Sequence, residues 1–146
     1  MDKLRTILLV EDSPGDVRLT REAIRAVDGE LQLHVAVDGV EAISFLRRQG
    51  AHADAPRPDL ILLDLNLPKM DGRQVLAEIK RDEDLKTIPT VILTTSASQE
   101  DIDAVYQLRG NCYFTKPVEY DAFEGLLKSI INFWLTIVRL PKPIRA

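Results

Sequence analysis

Three short apolar runs, each stopped by a side chain capable of chemistry, constrain the fold of this chain more than any other feature. Ile7-Leu8-Leu9-Val10 gives way to Glu11-Asp12, Leu60-Ile61-Leu62-Leu63 to Asp64, and Val91-Ile92-Leu93 to Thr94-Thr95-Ser96. Such runs are too short for helices and suit strands covered on both faces, as in a parallel sheet. Leu31-Gln32-Leu33-His34-Val35 alternates apolar with polar residues, the pattern of an edge strand. Cys112-Tyr113-Phe114-Thr115 is a weaker fifth candidate, stopped by Lys116-Pro117.

Helical patterns fill the intervals. Ser13 followed by Pro14 reads as a helix start, and residues 16–27 carry Val17, Ile24 and Val27 on one side. Val40, Ile43, Phe45 and Leu46 mark a second helix, and Val75, Leu76 and Ile79 a third. Ile102, Val105, Tyr106 and Leu108 mark a fourth, and a fifth begins near Glu119 and passes Ile131. Pro56, Pro58, Pro68 and Pro89 fall between elements, where proline is tolerated. Five strand–helix repeats predict an α/β domain with a parallel sheet and right-handed crossovers.

The 146 residues suit one domain, with 29% charged and 45% hydrophobic residues as in soluble globular proteins. A net charge of −4, a pI near 5.2 and no cluster of Lys or Arg argue against a nucleic-acid partner. Cys112 is the single cysteine and cannot close an intrachain disulfide. Met1-Asp2-Lys3-Leu4-Arg5 lacks the order of a signal peptide. The longest apolar stretch, Ile130 to Leu140, has eight apolar residues in eleven. That is short of the ~18–20 a membrane span needs. The expected setting is the cytoplasm, without a membrane partner.

In parallel α/β sheets the ligand site lies beyond the carboxyl ends of the strands. Those ends would gather the carboxylates of Glu11, Asp12 and Asp64, the hydroxyl of Thr94 and the ammonium of Lys116. Carboxylates ~4 Å apart repel by ~4 kcal/mol per pair at an effective dielectric of ~20. Such a cluster persists only with raised pKa values or a bound cation. Its oxygen donors suit Mg²⁺, and a hydroxyl and a lysine beside it suit the oxygens of a phosphoryl group. Each residue alone has an ordinary explanation: acidic residues cap helices, Thr94, Ser96 or Ser98 could cap the next helix, and Lys116 could be a surface lysine. Asp64 is hardest to explain that way, because four apolar residues precede it. The joint arrangement outweighs the separate explanations.

The chain resembles the receiver domain of bacterial two-component response regulators. The resemblance rests on Val10-Glu11-Asp12, on Asp64 with Leu65-Asn66-Leu67-Pro68-Lys69-Met70-Asp71-Gly72, on Thr94-Thr95-Ser96 and on Lys116-Pro117, and covers residues 6 to about 132. It implies a flavodoxin-like, doubly wound sheet of five strands in the order 2-1-3-4-5 with five flanking helices. It implies that Asp64 is the phospho-acceptor, a carboxylate nucleophile that takes a phosphoryl group from a sensor histidine kinase. Glu11 and Asp12, with Asp64 and the backbone carbonyl of Asn66, would hold Mg²⁺. Lys116 would pair with a phosphoryl oxygen, and the Thr94 hydroxyl would move toward it. Tyr113 occupies the aromatic switch position, whose ring turns inward with that movement; plain core packing is its alternative reading. A cis Lys116–Pro117 bond, as in the family, would help aim the lysine. Within the family, residues 11–20 and Thr94-Thr95-Ser96 look like the small stand-alone regulators that partner bacterial phytochromes.

The resemblance divides the chain into a receiver domain, 1–132, and a C-terminal helix extension and arm, 133–146. With no DNA-binding domain expected, output would go through protein contacts, phosphate storage or onward transfer. On a helical period Phe123, Leu127, Ile131, Trp134 and Val138 form one stripe, and Leu126, Ile130, Phe133, Ile137 and Leu140 another. A helix this apolar either covers its own core or forms a homodimer contact through Leu126, Ile130, Phe133, Trp134 and Ile137; the patch size favours the dimer. Leu140-Pro141-Lys142-Pro143 should end the helix and continue as an extended arm. Two alternatives stand beside the regulator reading. A phosphohydrolase of the haloacid dehalogenase type needs a second aspartate where Asn66 stands. A non-phosphorylated scaffold would be expected to lack one of the acidic residues or the lysine.

Overall fold

The computed structural model, which describes residues 5–27 and 30–141, follows the repeat that the apolar runs predict. Along the chain run β1 (Arg5–Val10), α1 (Pro14–Arg25), β2 (Leu31–Ala36), α2 (Gly39–Leu46), β3 (Leu60–Leu63), α3 (Gly72–Arg81), β4 (Thr90–Thr94), α4 (Gln99–Gln107), β5 (Cys112–Thr115) and α5 (Tyr120–Asn132). The strands form one sheet in the order β2-β1-β3-β4-β5, and every neighbouring pair is parallel. This is the doubly wound order that the family resemblance implied.

The central strands are buried on both faces because their apolar residues serve two cores in alternation. Leu8, Val10, Ile61, Leu63 and Ile92 pack with α2, α3 and Val105 of α4. Ile7, Leu9, Leu60, Leu62, Val91 and Leu93 pack with Leu19 and Ala23 of α1 and with Phe123, Leu127, Ile130 and Ile131 of α5. The alternating strand β2 lies at one edge of the sheet, as its pattern predicts.

Helices α1 to α4 each begin on a side-chain cap that fixes the loop before them. Ser13 Oγ accepts the amide of Asp16 at 3.3 Å, and Asp38 Oδ1 accepts that of Glu41 at 2.8 Å. Asp71 and Gln74 close a reciprocal capping box on α3, with bonds of 2.9 Å and 3.0 Å. For α4 the cap is Ser98, whose Oγ accepts the amide of Asp101 at 3.1 Å. That assignment removes Thr94 and Ser96 from the list of candidate caps.

Several expectations shift. Val40 and Tyr106 stand about half exposed, so α2 and α4 bury narrower stripes than the sequence suggested. The fifth helix does not continue regularly to Leu140. After Asn132 the chain makes a π-helical turn over Phe133–Ile137, closed by the Val138 amide on the Phe133 carbonyl at 2.8 Å. Leu135, which belongs to neither predicted stripe, is buried by that turn. Ile130, expected on the outward stripe, is only 3% exposed and lies in the chain's own core. Leu126 and Trp134 are partly buried against the same core, leaving Phe133 and Ile137 exposed at 47% and 64%. Of the expected arm, Lys142 and Pro143 lie outside the described residues.

Candidate functional site

The strand register builds the site. Val10 of β1 pairs with Leu63 of β3, so Glu11 and Asp64 leave adjacent strands at the same level, ~4.8 Å apart in the backbone. Leu63 pairs with Ile92 of β4, which places Thr94 one residue beyond the level of Asp64. Thr94 pairs with Thr115 of β5, and Lys116 follows at once. The Lys116 amide donates to the Thr94 carbonyl at 2.7 Å, extending the ladder to the lysine itself.

Three carboxylates surround one ammonium at this edge. Lys116 Nζ donates to Glu11 Oε1 at 2.6 Å, to Asp16 Oδ2 at 2.7 Å and to Asp64 Oδ2 at 3.1 Å. Glu11, Asp64 and Lys116 are buried, whereas Asp12 is open to solvent. Burial pushes the Glu11 carboxyl up to about 7, against the opposing hydrogen bond and charge of Lys116. Burial also penalises the Lys116 ammonium, but its bonds to Asp16 and Glu11 outweigh that and raise it above the ordinary lysine range. The lysine therefore remains charged at neutral pH and serves as the internal counterion of the cluster.

Carboxylate oxygens of Glu11, Asp12 and Asp64 all lie within 4.8 Å of one another. That is a hard, all-oxygen donor set on the scale of a small divalent cation's coordination shell. The Asn66 amide donates to Asp64 Oδ1 at 3.1 Å, so the backbone after the acidic residue turns back over it. Gly72 permits this turn to stay tight: a Cβ there would lie 2.3 Å from the Asp64 carbonyl oxygen. Thr94 is fully buried, and its hydroxyl has no hydrogen-bond partner among the described residues. A buried hydroxyl in that condition is a donor without an acceptor, the complement of an incoming anion's oxygen.

The structure thus brings Glu11, Asp12, Asp64 and Lys116 together, with Thr94 on the neighbouring strand end and Asn66 on the following turn. Tyr113 is half-buried, and its hydroxyl donates to the Ser96 carbonyl at 2.7 Å. Every peptide bond among the described residues is trans, Lys116–Pro117 included, so a cis bond is not what aims the lysine. Its three carboxylate partners do so. Asp16 was missed in the sequence because an acidic residue in the first turn of a helix already has a sufficient explanation in the helix dipole. The signal available was its position: the first turn after β1 overhangs the same edge.

The model of the response regulator receiver domain matches residues 7–128. Response regulator Rcp1 of Synechocystis sp. (strain ATCC 27184 / PCC 6803 / Kazusa) is 49% identical over 137 residues, 94% of this chain and 93% of that protein. The crystal structure of the Mn²⁺-bound form of Rcp1 superposes with a TM-score of 0.92 at 48% identity, covering 94% of this chain and 99% of the other. The phosphorylated cyanobacterial phytochrome response regulator RcpA superposes with a TM-score of 0.94 at 47% identity, covering 96% and 100%. With the strand order, the acidic cluster and the lysine in place, the chain belongs to the response regulator receiver family.

Proposed function

We propose that this chain is a cytoplasmic two-component response regulator that accepts a phosphoryl group on Asp64 from a sensor histidine kinase of the phytochrome class. It works with Mg²⁺ and signals through protein contacts. An oxygen of Asp64 attacks the phosphorus of the kinase phosphohistidine; the P–N bond breaks, its electron pair returns to the imidazole, and an acyl phosphate forms on Asp64. Glu11, Asp12, Asp64 and the Asn66 carbonyl would hold Mg²⁺, which neutralises charge on the transferring group. Lys116 offers its ammonium to a phosphoryl oxygen, and Thr94 offers the hydroxyl that otherwise has no acceptor.

The observation that carries this reading is that Asp64 belongs at once to the divalent-type carboxylate set and to the hydrogen-bonding shell of Lys116. The partner class rests on likeness to RcpA and Rcp1. Incubation with acetyl phosphate and Mg²⁺ followed by intact-mass measurement tests the acceptor. One phosphoryl adduct on wild type and none on Asp64→Asn is expected. No adduct and no beryllofluoride binding on wild type would overturn the reading.

The segment 133–146 is proposed as a contact with a second copy of the chain. Phe133 and Ile137 are exposed at 47% and 64%, and the neighbouring Thr136 hydroxyl donates to Asn132 Oδ1 at 2.7 Å. The nearby Lys128 and Glu124 are paired with each other at 3.0 Å. Two large exposed apolar side chains four residues apart suit a second copy of the same surface across a two-fold axis.

A further inference from the structure

Four charged side chains are buried among the described residues: Glu11, Asp64, Lys116 and Asp38. The first three meet at the sheet edge, and Asp38 is the one that the proposed chemistry does not use. Capping α2 occupies only its Oδ1, and Ser or Asn would cap as well without burying a charge. The spare oxygen, Oδ2, faces Lys69 Nζ at 3.5 Å, in the segment that follows Asp64. Lys69 is as unexpected in its place: its φ of 66° lies in the left-handed region, where glycine sits without steric cost. An acid where an amide would serve and a lysine where glycine would serve are explained together by their pairing.

The pair joins two stretches that frame the carboxylate set. Two residues before Asp38, the Ala36 carbonyl accepts the Glu11 amide at 2.9 Å. One residue after it, Gly39 lies so close to Met70 that a Cβ there would overlap the Met70 carbonyl oxygen. The hydrogen bonds of residues 66–70 stay within their own segment: the Asn66 amide on Asp64 Oδ1, Leu67 on the Leu65 carbonyl at 3.2 Å and Met70 on the Pro68 carbonyl at 2.8 Å. Among the described residues, the Lys69 pair is therefore the polar link from this segment to another element. We infer that Asp38 and Lys69 are positioning residues that hold segment 66–70 against the start of α2 and so fix the Asn66 carbonyl for a divalent cation. The inference rests on the cation reading above. Mg²⁺ demands near-ideal octahedral geometry, whereas Ca²⁺ accepts irregular oxygen shells, so a loosened carbonyl penalises Mg²⁺ more.

The test is calorimetric titration with Mg²⁺ and with Ca²⁺ at pH 8 and low salt, on wild type, Asp38→Asn and Lys69→Met. Asn keeps the α2 cap, so Asp38→Asn removes the pair and little else. Each variant should bind Mg²⁺ about threefold more weakly, within the range of a partly exposed ion pair, and Ca²⁺ nearly as wild type does. The double variant should lose no more than either single change, because both cut one connection. The two substitutions alter the local charge in opposite senses. If charge alone mattered, Asp38→Asn would weaken Mg²⁺ binding and Lys69→Met would strengthen it. Opposite shifts, unchanged Mg²⁺ affinity, or equal losses for Mg²⁺ and Ca²⁺, with wild type binding Mg²⁺, overturn the positioning role and leave the cation reading intact. Wild type that does not bind Mg²⁺ overturns both.

Discussion

Replacing Lys116 by methionine keeps most of the side-chain volume and removes the charge, which isolates what the ammonium contributes. Its nitrogen lies 2.6 Å from Glu11, 2.7 Å from Asp16 and 3.1 Å from Asp64. Removing one partner of a buried ion pair costs about 3–5 kcal/mol, because the other partner is left charged and unpaired. Asp16 is only half-buried and can turn to water, so the lower end applies, about 3 kcal/mol. For a chain of this size that corresponds to a fall in Tm of roughly 6–12 °C. The informative quantity is the response to Mg²⁺. In the variant the carboxylates of Glu11, Asp12 and Asp64 face one another without the ammonium, so a divalent cation relieves more repulsion there than in wild type. Thermal unfolding by circular dichroism at pH 8, with and without excess Mg²⁺, should show a larger Mg²⁺-induced rise in Tm for Lys116→Met. The deficit without Mg²⁺ should shrink at pH 6, where Glu11 takes up a proton. An equal or smaller rise in the variant would refute Lys116 as the counterion of the cluster.

Glu11 must lose its proton to bind a cation, and burial raises it from 4.5 to about 7. Apparent Mg²⁺ affinity measured by calorimetry should therefore fall below about pH 7, approaching tenfold per unit; a flat profile from pH 6 to 8 counts against it. In the metal-free protein the same shift stabilises the fold below pH 4.5, and that contribution is lost as pH rises through about 7. Thr94→Val removes an unpartnered buried hydroxyl, so the phosphate-free protein should unfold at the same or slightly higher denaturant concentration, by up to about 1 kcal/mol. The same variant should lose most of the stabilisation that beryllofluoride gives wild type; retention of it would remove Thr94 from the site. Gly72→Ala drives a methyl group into the Asp64 backbone and should cost roughly 2–3 kcal/mol in urea unfolding, with wild-type stability contradicting the tight turn. Ile137→Glu should leave the monomer folded but shift light-scattering mass from dimer to monomer; an unchanged dimer would place the contact elsewhere.

The sheet was legible because burial on both faces leaves a continuous apolar run, and a run that ends at a carboxylate marks the strand end as well. Once Glu11, Asp64, Thr94 and Lys116 are known to close parallel strands, their convergence follows from topology alone. The residues that escaped reading are those whose role depends on a distant partner. Asp16 is ordinary as a residue in a first helical turn, and only the fold brings it to Lys116, 100 positions away. Asp38 and Lys69 are likewise unremarkable, a helix cap and a loop lysine, until α2 lies beside the segment after Asp64. The inward stripe held through Phe123, Leu127 and Ile131, and the pattern broke after Asn132 for a local reason: extrapolating a regular helix cannot foresee a π-helical turn at Phe133, and the residue it buries, Leu135, lay in neither stripe.

The three donors of Lys116 are all committed in the structure, one each to Glu11, Asp16 and Asp64. Two of these partners also belong to the carboxylate set suited to a divalent cation. A cation bound there would compete with the lysine for Glu11 and Asp64, while Asp16, outside that set, would keep the ammonium at the edge. Lys116 becomes free to turn donors toward an incoming phosphoryl oxygen only as its hold on those two carboxylates weakens. On the proposed function, cation binding and phosphoryl capture would then be linked through one side chain rather than merely adjacent. By thermodynamic reciprocity each must strengthen the other by the same factor. The energetic cost of gathering carboxylates at the sheet edge is what makes the linkage possible, because a cluster already neutralised would have no reason to exchange its counterion.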